Sequence, residues 1–178
     1  MMMARKQTAQ LTPRQQAEQQ FKAARISLLT AICLTVINIL LLFTGMDWML
    51  LYSVTAPYFI AVLGAVMENP VMLTTGAVIG VVCLVPYLLC WLLSKKHSAW
   101  LIVATVLMGL DTLVLIGVYL LLGDFSGILD FVFHGLIIYY MILGVVGAKK
   151  LKTLPEEEPA DIIDQIVDGI PEDVAEEM

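Results

Sequence analysis

The positions of the basic residues limit the ways in which this chain can fold. The 178 residues include ten Lys and Arg, and all ten fall into three clusters. The clusters comprise Arg5, Lys6, Arg14, Lys22 and Arg25, then Lys95 and Lys96, then Lys149, Lys150 and Lys152. Long apolar stretches separate them, and charged residues make up only 15% of the chain. Soluble domains carry about 25% charged residues, so the sequence indicates an integral membrane protein.

Four of the apolar stretches have the length of a membrane-spanning helix. They cover about residues 26–45, 71–93, 100–122 and 128–147, each close to the ~20 residues that cross a hydrocarbon core of ~30 Å. The sequence therefore predicts an all-α polytopic protein with four transmembrane helices over 26–148. A cytoplasmic segment, 1–25, precedes them and an acidic cytoplasmic tail, 149–178, follows. Thr12, Pro13 and Gln15 form a capping-box pattern, which predicts a helix from about residue 12.

A fifth apolar stretch, residues 49–67, is also long enough to span, and charge decides its placement. If it crosses the membrane, the basic clusters divide evenly between the two sides. If it does not cross, all ten basic residues lie on one side, as the positive-inside rule favours. We therefore expect a re-entrant or interfacial element here, with both termini cytoplasmic and five spans as the alternative. Pro57 is expected to break this element at its apex.

One acid, Asp111, lies in the middle of the apolar stretch VLMGLDTLVLIG at 106–117. An ionisable group in hydrocarbon costs at least ~2.5–3.5 kcal/mol on insertion scales, so it needs a partner or a function. Counting residues along the helices places Asn38, Asp111 and Tyr139 at similar depth, as a candidate intramembrane polar cluster. Asp111 would either hold the bundle together by hydrogen bonds or carry a proton or cation.

A second polar group is predicted near the outer end of the fourth span. Asp130 and His134 are four residues apart and therefore share a helix face, as a candidate outer-leaflet pair. His134 is roughly 8 Å from Asp111 in depth, so direct contact between these two would require a tilted helix, although water could link them. One His and one Asp do not make a metal site. Because motifs such as GxSxG, HExxH and the P-loop are absent, no catalytic residue, metal or cofactor is predicted.

Two further features concern packing and partners. Gly76 and Gly80 in GAVIG present small residues four apart, which favours close helix packing within one chain or between two copies. The last 26 residues carry ten acids and no base, which excludes nucleic acid and suits a cytoplasmic protein partner.

Several short stretches are similar to a known family. They are NILLLFTG at 38–45, SVTAPY at 53–58, WLLSKK at 91–96, LDT at 110–112, DFVFHGLIIYY at 130–140 and KKLKTLPEEE at 149–158. In this order they resemble an uncharacterised family of small four-span integral membrane proteins from Gram-positive anaerobic bacteria. The resemblance covers most of residues 12–158 and implies a bacterial plasma membrane. It implies no activity, substrate or cofactor.

Three functional interpretations follow from these patterns. The first is a non-enzymatic accessory or scaffold whose acidic tail binds a cytoplasmic partner, with GAVIG available for homo-oligomers. The alternative is a small proton- or cation-coupled transporter or channel that uses Asp111, with Asp130 and His134 at its outer mouth. The third, an intramembrane enzyme, would require a ligand-sized cavity near His134.

Overall fold

A computed structural model describes residues 11–45, 50–123 and 128–155, and this part of the chain contains six α-helices and no strand. The helices are α1 Pro13–Phe43, α2 Thr55–Val66, α3 Pro70–Cys83, α4 Val85–Leu93, α5 Ala99–Leu122 and α6 Ile128–Leu151. Four helical stretches are long and apolar enough to cross a membrane: Pro13–Phe43, Pro70–Leu93, Ala99–Leu121 and Ile128–Leu151. The predicted all-α, four-span fold is confirmed. The acidic residues after Pro155 lie outside the described part.

Helix α1 begins as its sequence predicts. The Thr12 hydroxyl accepts a hydrogen bond from the Gln15 backbone N–H, and the Gln15 side chain accepts one from the Thr12 N–H, both at 3.2 Å. These two bonds satisfy N–H groups that a helix start leaves unpaired. The helix then runs beside α6 at close range. A Cβ added at Gly147 would lie 2.6 Å from the Ala17 carbonyl oxygen, so only glycine allows this approach.

The span Pro70–Leu93 consists of two helices that meet at Leu84. Helix α3 ends at Cys83 and α4 begins at Val85, with Pro86 in the first turn of α4. Proline lacks an N–H and clashes with the carbonyl four residues before it, which explains the break at this point.

Helix α2 does not cross the bundle. Its 12 residues extend about 18 Å, too short for a hydrocarbon core of ~30 Å, so the five-span alternative is wrong. Pro57 lies in the first turn of α2 rather than at a break in a helix, because residues 50–54 before Thr55 are not helical.

Glycines of α3 hold α2 against it. A Cβ added at Gly76 would lie 3.0 Å from Gly64 Cα and from the Ile60 carbonyl oxygen, and one at Gly80 would lie 2.5 Å from the Pro57 carbonyl oxygen. These pairs show that α2 runs antiparallel to α3. The packing face predicted at Gly76 and Gly80 is used within the chain, against α2.

The two ends of the bundle differ in charge. Every Lys and Arg of the described residues lies where α1 begins, where α4 passes into α5, or where α6 ends. We call this the basic end, and the end at which α2 meets α3 the opposite end. The half of the bundle nearer the basic end has an apolar core. Its fully buried side chains include Leu28, Leu101, Met108, Ile137 and Met141.

We predict that Gly76→Ala destabilises the protein and Gly109→Ala does not. The added methyl at Gly76 meets backbone atoms that cannot move aside, and such overpacking costs about 1–3 kcal/mol. Gly109 has no neighbour within 4 Å of the added Cβ, so only helix propensity changes, in favour of alanine by about 1 kcal/mol. Unfolding of both variants in detergent micelles tests this. Equal effects of the two substitutions would contradict the α2–α3 contact.

Candidate functional site

The segment before α2 lies inside the bundle, and side chains of α1 hold it there. Asn38 binds Leu50 through both of its amide atoms: Nδ2 donates to the Leu50 carbonyl and Oδ1 accepts from the Leu50 N–H, each at 2.8 Å. The Thr35 hydroxyl accepts from the Val54 N–H at 2.7 Å. Tyr52 reaches the hydroxyl of Ser27. In a surface loop, these backbone N–H and C=O groups would form hydrogen bonds with water. Here side chains of α1 form the hydrogen bonds instead.

Asp111 supplies the cap that the start of α2 lacks. The N-cap residue, Val54, has no side-chain oxygen. Asp111 Oδ2 instead accepts the Thr55 N–H at 2.8 Å, and Oδ1 accepts the Ala56 N–H at 2.7 Å. Pro57 has no N–H to satisfy. Together with the bond from Val54 to Thr35, every N–H that the first turn of α2 leaves free has an acceptor.

His134 completes the site. Its Nε2 lies 3.1 Å from Asp111 Oδ2 and 3.2 Å from Thr55 Oγ1, and its Nδ1 lies 2.9 Å from the Asp130 carbonyl oxygen. A carbonyl oxygen only accepts, so Nδ1 carries a proton. The contact between Nε2 and Oδ2 then needs one further proton, on either the imidazole or the carboxyl. The Asp111–His134 pair is therefore a proton-binding unit, and both residues are at most 3% exposed.

A small cavity of about 150 Å³ borders His134. Its lining residues are Ser53, Thr55, Tyr58, Phe59, Leu115, Val118, Tyr119, Asp130 and His134. One water molecule needs roughly 10–15 Å³ of such space, so the cavity has room for several. Its polar wall includes Asp130, whose Oδ2 accepts a hydrogen bond from the Tyr119 hydroxyl at 2.8 Å.

The cavity lies on one side of the pair. Asp130 and Tyr119 lie nearer the opposite end than His134 and Asp111 do, so the cavity leads toward that end. Toward the basic end, Met108 and Ile137 lie one helical turn from Asp111 and His134, and both are fully buried in the apolar core. Apolar side chains therefore separate the pair from the basic end.

The structure separates the residues expected to form a mid-membrane cluster. Asn38 and Asp111 hold the same segment, at Leu50 and at Thr55, although they do not bind each other. Tyr139 lies apart from both. It is 56% exposed and its ring packs against Tyr140, because α6 turns its other face, with His134, inward. The depth of a residue in the membrane does not tell which way its side chain points around the helix axis. Equal depth therefore selected Tyr139, whereas His134 is the side chain of α6 that contacts Asp111.

Asp111 and His134 are in direct contact, which counting along upright helices did not favour: Nε2 and Oδ2 are 3.1 Å apart. The count along the helices treats them as upright rods, whereas packed helices cross at an angle and bring different depths together. Asp130 and His134 are neighbours on one face of α6, as predicted. Their contact runs through the Asp130 carbonyl, while the Asp130 carboxylate binds Tyr119.

The described residues contain no group of three or more His, Cys, Asp or Glu side chains that would hold a metal ion. Comparison of the chain with protein-family models, curated proteins and solved structures finds no match. Its function must therefore be inferred from its own geometry.

We predict that Asp111→Asn loosens the start of α2, whereas the neighbouring Thr112→Val does not. Asparagine keeps one acceptor oxygen and turns an NH₂ group toward a second N–H, so one buried bond is lost at a cost of about 1–3 kcal/mol. Thr112 donates to Met108 within its own helix and takes no part in the cap. Hydrogen exchange at the Thr55 and Ala56 amides should accelerate in Asp111→Asn alone. Unchanged protection there would refute the capping role.

Proposed function

We propose that this protein is a small proton-linked transporter or channel of a bacterial plasma membrane, with both termini cytoplasmic. The observation that carries the proposal is the buried Asp111–His134 pair, which needs one proton for its own hydrogen bond. His134 of this pair lines a cavity with room for several water molecules. Ionisable groups inside a membrane are costly, and proton relays are among their commonest uses.

The contacts of Asp111 favour a proton over a metal cation. Both carboxylate oxygens already accept backbone N–H groups, and the positive end of the α2 helix dipole points at them. A metal ion would meet these donors and would have to displace them. A proton on His134 or Asp111 fits the existing geometry without displacing anything.

The size of the cavity favours water and protons over organic ligands. Sites for organic ligands have volumes of about 300–1,000 Å³, whereas this cavity has about 150 Å³. It suits water and the protons that water conducts, and gives little support to an intramembrane enzyme. Since the core near Met108 and Ile137 closes the route to the basic end, a transport cycle would have to open that core.

Proton flux into liposomes tests this proposal. Vesicles with an entrapped pH dye and purified protein receive a pH gradient, with valinomycin and potassium to balance charge. We expect flux above that of protein-free vesicles in the wild type and in Thr112→Val. His134→Gln and Asp111→Asn should reduce it to the protein-free level, because neither amide side chain exchanges a proton at neutral pH.

Two outcomes of this assay would contradict proton transport through the Asp111–His134 pair. No flux in folded wild-type protein, at any imposed gradient, would overturn the transport function. Flux that survives in folded His134→Gln would show that protons cross elsewhere. His134→Gln is the more informative variant, since it leaves both backbone bonds of Asp111 in place.

An accessory role is supported by a different observation on α6. Tyr139 and Tyr140 are 56% and 40% exposed near the middle of this helix, and neither hydroxyl has a hydrogen-bond partner among the described residues. A hydroxyl facing hydrocarbon without a partner is unfavourable. A helix of a second copy or of another membrane protein would cover these groups and offer acceptors. This arrangement fits the expected scaffold function.

We predict that Tyr139→Phe combined with Tyr140→Phe weakens such an assembly without unfolding the protein. The two changes remove hydroxyls and keep the ring contact of 5.7 Å between centroids. Cross-linking in native membranes would show fewer cross-linked species for this variant. Leu136→Ala, which alters an exposed apolar side chain of the same helix, is the control. Cross-linking that is unchanged in the Tyr variant would contradict the accessory interface.

A further inference from the structure

A second cavity, which the transport site does not use, lies at the basic end. Its volume is about 420 Å³, and α1, the α4–α5 turn and the end of α6 form its walls. Lys95, Lys96 and His97 come from the turn, and Lys152 comes from the end of α6. We call this cavity the lysine pocket. It brings together side chains that are more than 50 residues apart in the sequence.

The positive charge of the lysine pocket is not balanced within the described residues. In residues 11–45, 50–123 and 128–155, the ion pairs of lysine and arginine are Arg14–Glu18 and Lys22–Glu18. Lys95, Lys96 and Lys152 have no acidic partner there. Three lysines converging on one cavity repel one another, so the pocket gains from a bound anion.

The start of α5 adds hydrogen-bond donors to the same cavity. Ser98 and Ala99 line the pocket, and Ser98, the N-cap of α5, makes no side-chain capping bond. The His97 N–H donates to the Leu93 carbonyl at 3.0 Å, and the Trp100 N–H donates to the His97 carbonyl at 3.1 Å. Between them, the N–H groups of Ser98 and Ala99 have no acceptor among the described residues and lie beside the lysines, available to an anionic oxygen.

The other wall of the pocket is apolar, and its depth matches the membrane surface. Phe21, Ala148 and Leu151 form this wall. Trp91 lies one turn before Lys95 and stacks under the Arg25 guanidinium, 5.5 Å from the ring centroid. Tryptophan beside arginine at the end of a span is typical of the boundary between hydrocarbon and headgroups.

We propose that the lysine pocket binds the phosphate headgroup of an anionic phospholipid. The phosphate would lie among Lys95, Lys96 and Lys152 at the start of α5, and the glycerol and upper acyl chain would lie along Phe21 and Leu151. Basic pockets between transmembrane helices on the cytoplasmic side recognise anionic headgroups in this way.

The acidic tail of the same chain is the competing occupant. Residues 156–178 carry ten acids, and the chain reaches them from Pro155, whose carbonyl accepts a hydrogen bond from Arg14 at 2.9 Å. Arg14 lies seven residues before Phe21 on α1, about 10 Å along the helix axis, and farther from the membrane. The lipid is favoured because the apolar wall and the interfacial depth match a phospholipid, whereas the tail begins beyond the pocket.

Titration of the full-length protein with short-chain phosphatidylglycerol in neutral micelles tests the proposal, with the unfolding temperature as readout. We expect a saturable rise that phosphatidylcholine does not produce. Lys95→Gln, Lys96→Gln and Lys152→Gln together should lower the affinity about 100-fold, at roughly fivefold for each lysine near a membrane surface. The matched control carries Lys22→Gln, Lys149→Gln and Lys150→Gln, which remove equal charge from the same end outside the pocket.

The remaining outcomes would overturn the lipid site. Equal losses in the two triple variants would mean general attraction to the basic end. The same rise with inorganic phosphate would identify a free anion as the ligand. Much tighter lipid binding by a variant with Glu156→Gln, Glu157→Gln and Glu158→Gln would show that the tail occupies the pocket. None of these results depends on proton flux, so this proposal and the transport function can fail separately.

Discussion

The rest of this architecture depends on the hydrogen bonds between the Asp111 carboxylate and the start of α2. A helix that begins inside a membrane leaves backbone N–H groups where no water can reach them, and hydrocarbon makes each unpaired group expensive. Helix α2 begins in such a place, and Asp111 accepts two of its N–H groups. Without these acceptors α2 would not be stable at this depth. The close glycine contacts between α2 and α3 would then lose one partner.

The same carboxylate links the fold to the candidate site. Its Oδ2 atom accepts the Thr55 N–H and also faces His134 Nε2. A change in the protonation of the pair therefore alters a hydrogen bond at the start of α2. Proton binding at the pair and the capping of α2 share one oxygen atom, and shared contacts of this kind are how a local change in charge biases a larger element.

The sequence was sufficient for the features that depend on hydropathy, charge and local capping. Apolar length predicted the four spans, and the lysine clusters predicted that residues 49–67 do not cross. Rotation about the helix axes could not be predicted in this way, because each helix is apolar on nearly every side in a lipid environment. Tyr139 and His134 lie on one helix, and only packing decides which of them faces Asp111.

One local feature of the sequence indicates that the start of α2 is a hydrogen-bond partner of Asp111. SVTAPY places Pro57 in the first turn of a helix whose N-cap, Val54, has no side-chain acceptor. A helix start of this kind inside a membrane requires an acceptor from elsewhere in the chain. Asp111 was the one acid in the middle of a span, so the two features together pointed to the contact. The separation of 56 residues between Thr55 and Asp111 made this contact difficult to predict.

Because Thr55 and Asp111 are far apart in sequence, the contacts that hold α2 become available at different stages of synthesis. Thr35 and Asn38 belong to α1 and are synthesised before residues 50–54. Asp111 follows Thr55 by 56 residues, and His134 follows Asp111 by a further 23. During translation, the Thr55 and Ala56 N–H groups therefore have no acceptor from Asp111 until α5 has been synthesised. The last helices of the chain thus complete the capping of the second.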